Sequence, residues 1–116
     1  MTITRIDPGA RMSEAVVHGD TVYLAGQIAA ETAGQSIEAQ TTEVLAAIDS
    51  LLARAGSSRS KLLRCQIILA DMNDFAAMNG VWSSWVDTSN PPARATIEAK
   101  LANPGWKIEI IATAAR

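Results

Sequence analysis

Between Pro91 and Thr113 the chain carries an arginine and a carboxylate, Arg94 and Glu109, in two strand-like runs joined by the turn Ala102-Asn103-Pro104-Gly105. Proline has no N–H for a sheet ladder and holds the residue before it extended. Pro91-Pro92 therefore reads as a stiff lead-in that delivers Arg94 at the start of a strand. A planar guanidinium placed there can grip a carboxylate with two parallel hydrogen bonds. Glu109 is flanked by Ile108, Ile110 and Ile111, which makes a fully exposed surface role less natural for it, and a carboxylate so placed can act as a proton acceptor. Thr96 shares the Arg94 face by the two-residue period of a strand and offers a hydroxyl.

Several elements must hold these groups. Val16-Val17-His18 and Thr21 to Gly26 are two β-prone runs around Gly19-Asp20, a hairpin pattern. From Ser36, a good N-cap, Ile37, Val44, Leu45, Ile48, Leu51 and Leu52 recur at helical spacing, and Gly56 follows where a left-handed C-terminal residue is wanted. Leu62 to Ala70 alternates like a strand, with Leu63, Cys65, Ile67 and Leu69 on one side. Asn73 is the expected cap of a second helix with an apolar stripe of Met78, Val81, Trp82 and Trp85, read as core. The order is ββαβαββ, strands covered on one face by helices, an α+β two-layer domain spanning residues 1–116. If Leu101 and Trp106 close a hairpin, Arg94 lies opposite Thr113 and Glu109 opposite Glu98, about 13 Å apart along the strands. Either the register shifts, or a site takes Arg94 from one chain and Glu109 from its neighbour.

Composition narrows the function classes. The chain has 116 residues, 48% of them hydrophobic and 19% charged, an apolar share high enough for so short a chain to suggest buried subunit contacts. Ten basic and twelve acidic residues, with no basic run, argue against nucleic acid as a partner. Nothing resembles a signal peptide or approaches the ~18 apolar residues of a membrane span, so a cytoplasmic location and no membrane partner are expected. The single cysteine, Cys65, cannot form an internal disulfide or a cysteine-based metal site and reads as a buried thiol. The only histidine, His18, stands beside a turn with no catalytic partners. Asn79 on the second helix is either a polar surface residue or part of a site, and Gly26 permits close approach of a ligand or a strand.

Four segments together resemble the RidA (YjgF) family of reactive-intermediate deaminases: Ala25-Gly26-Gln27-Ile28, Asp71-Met72-Asn73-Asp74-Phe75 with Asn79, Pro92-Ala93-Arg94, and Ile108-Glu109-Ile110 fifteen residues after that arginine. The resemblance implies a chorismate-mutase-like fold, a homotrimer with clefts between subunits, no cofactor and no metal. It also implies hydrolysis of 2-imino or enamino acids to 2-oxo acids and ammonia. Arg94 would bind the substrate carboxylate and Glu109 would position the attacking water, with Thr96, Asn79, Gly26 and Met12 at substrate-binding positions. Three positions depart from many members: Arg11-Met12 where they have a tyrosine, Ala25 for their serine, and Thr96 for their cysteine. These departures are similar to those of a YoaB-like branch. Two other classes compete: a non-catalytic trimer that binds 2-oxo or amino acids through Arg94, which would not need Glu109, and a ribonuclease or translation inhibitor, which one histidine and no basic groove support poorly.

Overall fold

A computed structural model describes all 116 residues. Seven strands form one mixed sheet: β1 (Ile3–Ile6), β2 (Ala15–His18), β3 (Thr21–Leu24), β4 (Gln27–Ile28), β5 (Leu62–Leu69), β6 (Ala93–Glu98) and β7 (Ile108–Ala115). Two helices, α1 (Ile37–Arg54) and α2 (Phe75–Trp85), complete the chain's regular structure apart from two short 3₁₀ turns. The β2–β3 hairpin turns at Gly19, whose φ of +61° is one that glycine adopts without steric cost. Ser36 caps α1 by accepting the Ala39 N–H at 3.1 Å, and Gly56 follows the helix at φ +79°.

The expected α+β two-layer arrangement is present, with β1 and β4 added to the strands anticipated. β1 has an almost wholly exposed edge and so carries no apolar alternation to announce it. The cap of α2 also differs. Met72–Asp74 form a 3₁₀ turn capped by Asp71, which accepts the Asn73 N–H at 2.9 Å, and α2 follows with Asp74, not Asn73, at its N-cap position and no side-chain cap bond.

The larger correction concerns strand order, which runs β1-β2-β3-β7-β5-β6, with β4 pairing the start of β7. β6 and β7 are not a hairpin. A strand–helix–strand crossover through α2 lays β6 parallel to β5, and the following loop carries the chain past β5 to its other side, where β7 pairs antiparallel. A register irregularity at Leu63 turns that side chain outward, 52% exposed, instead of into the row with Cys65, Ile67 and Leu69.

The two sheet faces are unlike. Ile108, Ile110, Ala112 and Ala114 of β7 point into a 22-residue core with Cys65, Ile67 and Leu69 of β5, beneath Val44, Leu45, Ile48 and Leu52 of α1. Full burial of each valine, leucine or isoleucine among them stabilises the fold by roughly 1.5–3 kcal/mol. Neither helix covers the opposite face. Register places Ile97, Ile68, Glu109 and Ile28 in one row across β6, β5, β7 and β4, on the side away from the buried residues. Ile97 is 42% exposed and Tyr23 50%. No helix is long and apolar enough to cross a membrane.

Candidate functional site

Arg94 pairs with Cys65 in register and therefore projects toward the helix layer. Its Nη1 donates to Asn79 Oδ1 at 2.7 Å. Its guanidinium carbon lies 5.3 Å from the Trp82 ring centroid and 5.9 Å from that of Phe75, within cation–π range of both. Phe75, Asn79 and Trp82 are spaced four and three residues apart, which sets them on one face of α2 toward the arginine. That spacing is legible in the sequence, and it is the signal by which Phe75 and Trp82 could have been recognised as neighbours of Arg94 rather than as plain core.

The chain's two ion pairs are Arg54–Asp7 and Arg59–Asp49, so half-buried Arg94 has no opposite charge. Its only protein acceptor is a neutral amide, and most of its five N–H groups remain unspent. Two residues along, Thr96 turns the same way. Its Oγ1 is buried without any hydrogen-bond partner. Below lies Cys65, whose thiol is pushed up to about 11 by burial, against the opposing pull of the Arg94 charge. It is an inert neighbour at neutral pH.

Glu109 is elsewhere. It pairs with Ile68 and Ile28 and lies on the uncovered face. Its carboxylate is folded over Gly26: a Cβ built on that glycine would stand 2.1 Å from Glu109 Oε2 and 2.7 Å from its Cδ. The close approach that Gly26 permits is thus to this carboxylate, and the sequence Ala25-Gly26-Gln27 at the β3–β4 break makes the room. The start of β7 is fixed from behind by the fully buried Gln40 of α1. Its Nε2 donates to Gly105 O at 2.9 Å, and its Oε1 accepts Lys107 N–H at 2.8 Å. Glu43 of α1 fixes the loop after β4, accepting from the Thr32 hydroxyl and from the Glu31 and Thr32 N–H groups. These bonds, the Thr32 hydroxyl foremost, hold its carboxyl below the usual range.

Arg94, Thr96 and Asn79 are therefore gathered at one place and Glu109 with Gly26 at another. In one chain the two groups face opposite sides of the sheet, three residues apart along it and two strands across, roughly 14 Å by strand spacing. Met12 belongs to neither; it is 52% exposed in the loop between β1 and β2. The one concavity of the monomer, about 340 Å³, lies beyond the far end of β6, lined by Ala70, Lys100, Leu101, Asn103, Pro104 and Trp106, with neither Arg94 nor Glu109 in its wall.

Comparison with known proteins matches residues 2–116 to the family described as Endoribonuclease L-PSP. A RutC family protein of Haemophilus influenzae is 53% identical over 111 residues, covering 96% of each chain. The RutC family protein YoaB of Escherichia coli is 45% identical over 115 residues, 99% of each. Among solved structures, a member of the YjgF protein family from Neisseria meningitidis superposes with a TM-score of 0.92 at 43% identity, covering 100% of this chain and 96% of its own. A sheet with both helices on one side, the arginine and glutamate fifteen residues apart and these full-length matches agree, and the chain belongs to the YjgF/RidA family.

Proposed function

We propose that the protein hydrolyses reactive 2-imino or enamino acids to 2-oxo acids and ammonia in a cleft between copies of the chain, with Arg94 of one copy holding the substrate carboxylate and Glu109 of the next directing water. The observation that carries this reading is Arg94 itself: half-buried, lacking an acidic partner and bonded only to the neutral Asn79. A buried charge without a counter-charge is costly, and an anionic ligand that supplies one repays that cost.

An imine needs little help. The carboxylate docks on the free edge of the Arg94 fork, and the Thr96 hydroxyl, which has no bond within the chain, is available to the ligand. Glu109 accepts a proton from water as the water oxygen adds to the carbon of the protonated imine, giving a neutral carbinolamine. It then returns that proton to the nitrogen and takes up the hydroxyl proton as the carbon–nitrogen bond breaks, so that the carbonyl forms, ammonia leaves, and the proton brought in by the iminium passes from Glu109 to ammonia or solvent. Such acid/base assistance contributes typically 10²- to 10⁴-fold.

Because the two groups lie on opposite faces of one sheet, a shared site requires two copies. The uncovered row of Ile28, Ile68 and Ile97 around Glu109 is the surface a second copy would cover, and a homotrimer is the assembly we assign to it.

The test is Arg94→Lys. It keeps the charge but replaces a two-pronged planar donor with a point, so kcat/KM toward enzymatically generated 2-iminobutyrate should fall by roughly 30- to 1000-fold, or about 2–4 kcal/mol of transition-state binding. Unchanged activity refutes the bidentate anchor. Wild-type protein that fails to accelerate imine decay across short, branched and aromatic substrates refutes the enzyme reading.

A further inference from the structure

The contacts behind Arg94 continue across the helix layer. Trp82, only 7% exposed, carries the guanidinium on its ring, and Trp85 packs against Trp82 with centroids 5.5 Å apart and planes tilted by 49°. Trp85 is in turn fixed on three sides. Its Nε1 donates to Asp49 Oδ2 of α1 at 2.8 Å, its carbonyl accepts from Arg59 Nη1 at 2.7 Å, and the Arg59 guanidinium lies 4.9 Å from its ring centroid. Arg59 and Asp49 close the loop with two hydrogen bonds, Nη2 to Oδ2 at 2.6 Å and Nε to Oδ1 at 3.2 Å. Asp49 thus accepts three bonds, and the Trp85 indole is held at its N–H edge by Asp49 and over its ring by Arg59.

A guanidinium has two flat faces and an edge of donors. A ring against a face fixes its plane, and one bond at the edge fixes its rotation within that plane. Trp82, with the more distant Phe75, supplies the first restraint and Asn79 the second, leaving the rest of the edge without an acceptor in the chain.

We propose that Trp82 is a positioning residue for Arg94, and that Trp85 with the Asp49–Arg59 pair acts through Trp82 to hold the arginine fork in its carboxylate-binding orientation. The inference rests on the carboxylate-anchor reading above and adds to it a route from α1 through α2 to β6. A tryptophan that merely filled the core would leave the orientation of Arg94 indifferent to the identity of its ring.

The test uses the full chain labelled with ¹⁵N-arginine, and 2-oxobutyrate as the probe. In the wild type the Arg94 Nε–H resonance, identified by its loss in Arg94→Lys, should be displaced by the indole ring current. Trp82→Phe keeps the bulk but changes the ring, and should move that resonance measurably while holding 2-oxobutyrate affinity within about threefold. Trp82→Leu should abolish the displacement, weaken 2-oxobutyrate about tenfold and raise KM more than it lowers kcat, as expected for loss of a single cation–π support. Trp85→Phe, which removes the N–H held by Asp49, should shift the resonance the same way by less. An Arg94 resonance and an affinity that ignore both Trp82 variants overturn the inference. If Trp82→Leu does not fold, the Trp82→Phe spectrum decides alone. Wild-type protein that binds no 2-oxo acid, with a resonance that still follows Trp82, overturns the carboxylate reading instead.

Discussion

Gly26→Ala tests the placement of Glu109 with a single methyl group. The added Cβ would stand 2.1 Å from Glu109 Oε2, 2.7 Å from Cδ and 3.1 Å from Cγ, so the carboxylate must retreat by about 1 Å or more to reach ordinary non-bonded separation. The backbone does not resist the change, because Gly26 is not among the residues with positive φ. The side chain can yield too, since Glu109 is tied by no ion pair. Restricting the unfolded chain contributes about 0.4–1 kcal/mol in favour of the alanine, so stability should stay within about 1 kcal/mol of the wild type. Turnover should not survive as well. A 1 Å displacement of a catalytic group costs about 10²-fold, and kcat for an enzymatically generated imine should drop by that order, while calorimetric affinity for 2-oxobutyrate changes by less than about threefold. The companion Glu109→Gln should show the same pattern, lost hydrolysis with retained binding. Adding Gly26→Ala to it should cost little more, because two changes that disable one group are not additive. Full turnover in Gly26→Ala refutes the assignment of Glu109. A loss of 2-oxo acid affinity as large as the loss of turnover would place the carboxylate pocket at Gly26 instead.

Two further outcomes follow from the sheet and its core. Light scattering at micromolar concentration should give about three times the monomer mass, and Ile68→Glu, which puts a charge in the uncovered apolar row beside Glu109, should yield an inactive monomer; an active wild-type monomer would refute the shared site. The Cys65 thiol, raised by burial from 9.0 to about 11, favours the folded state fully below pH 9, and that contribution is lost as pH rises through about 11. The stability difference between wild type and Cys65→Ala should therefore shrink by about 2 kcal/mol from pH 9 to pH 11 in urea titrations, and a constant difference would show that the thiol ionises freely.

Much of the architecture was legible because single residues dictate it. The turn at Gly19, the Ser36 cap and the Gly56 terminus each do in the structure what their chemistry predicts. The expected β6–β7 hairpin does not form because adjacency in sequence is not adjacency in space: the crossover through α2 gives one side of β5 to β6, and β7 pairs on the other. The site was legible as residue types and not as faces. Arg94 and Thr96 share a side by strand alternation alone, but the side on which Glu109 emerges depends on strand order and on the register of β7 with β4 and β5. The role of Gly26 depends on where a distant side chain comes to rest, which no local pattern encodes.

The central place of β7 also shapes how the chain reaches its folded state. β1 to β3 and β5 with β6 are two separate patches of sheet, β4 pairs only with β7, and β7 alone joins them all: Tyr23 pairs with Thr113, nearly the whole chain away, while Ile67 pairs with Ile110 on the other side. Neither patch can complete its hydrogen-bond ladder until that late segment inserts between them. Long loops must close before their contacts repay the lost chain entropy, so folding should be slow for a chain of this size. Its most aggregation-prone moment is the one in which Ile108, Ile110 and the facing edges of β3 and β5 are all still waiting for partners.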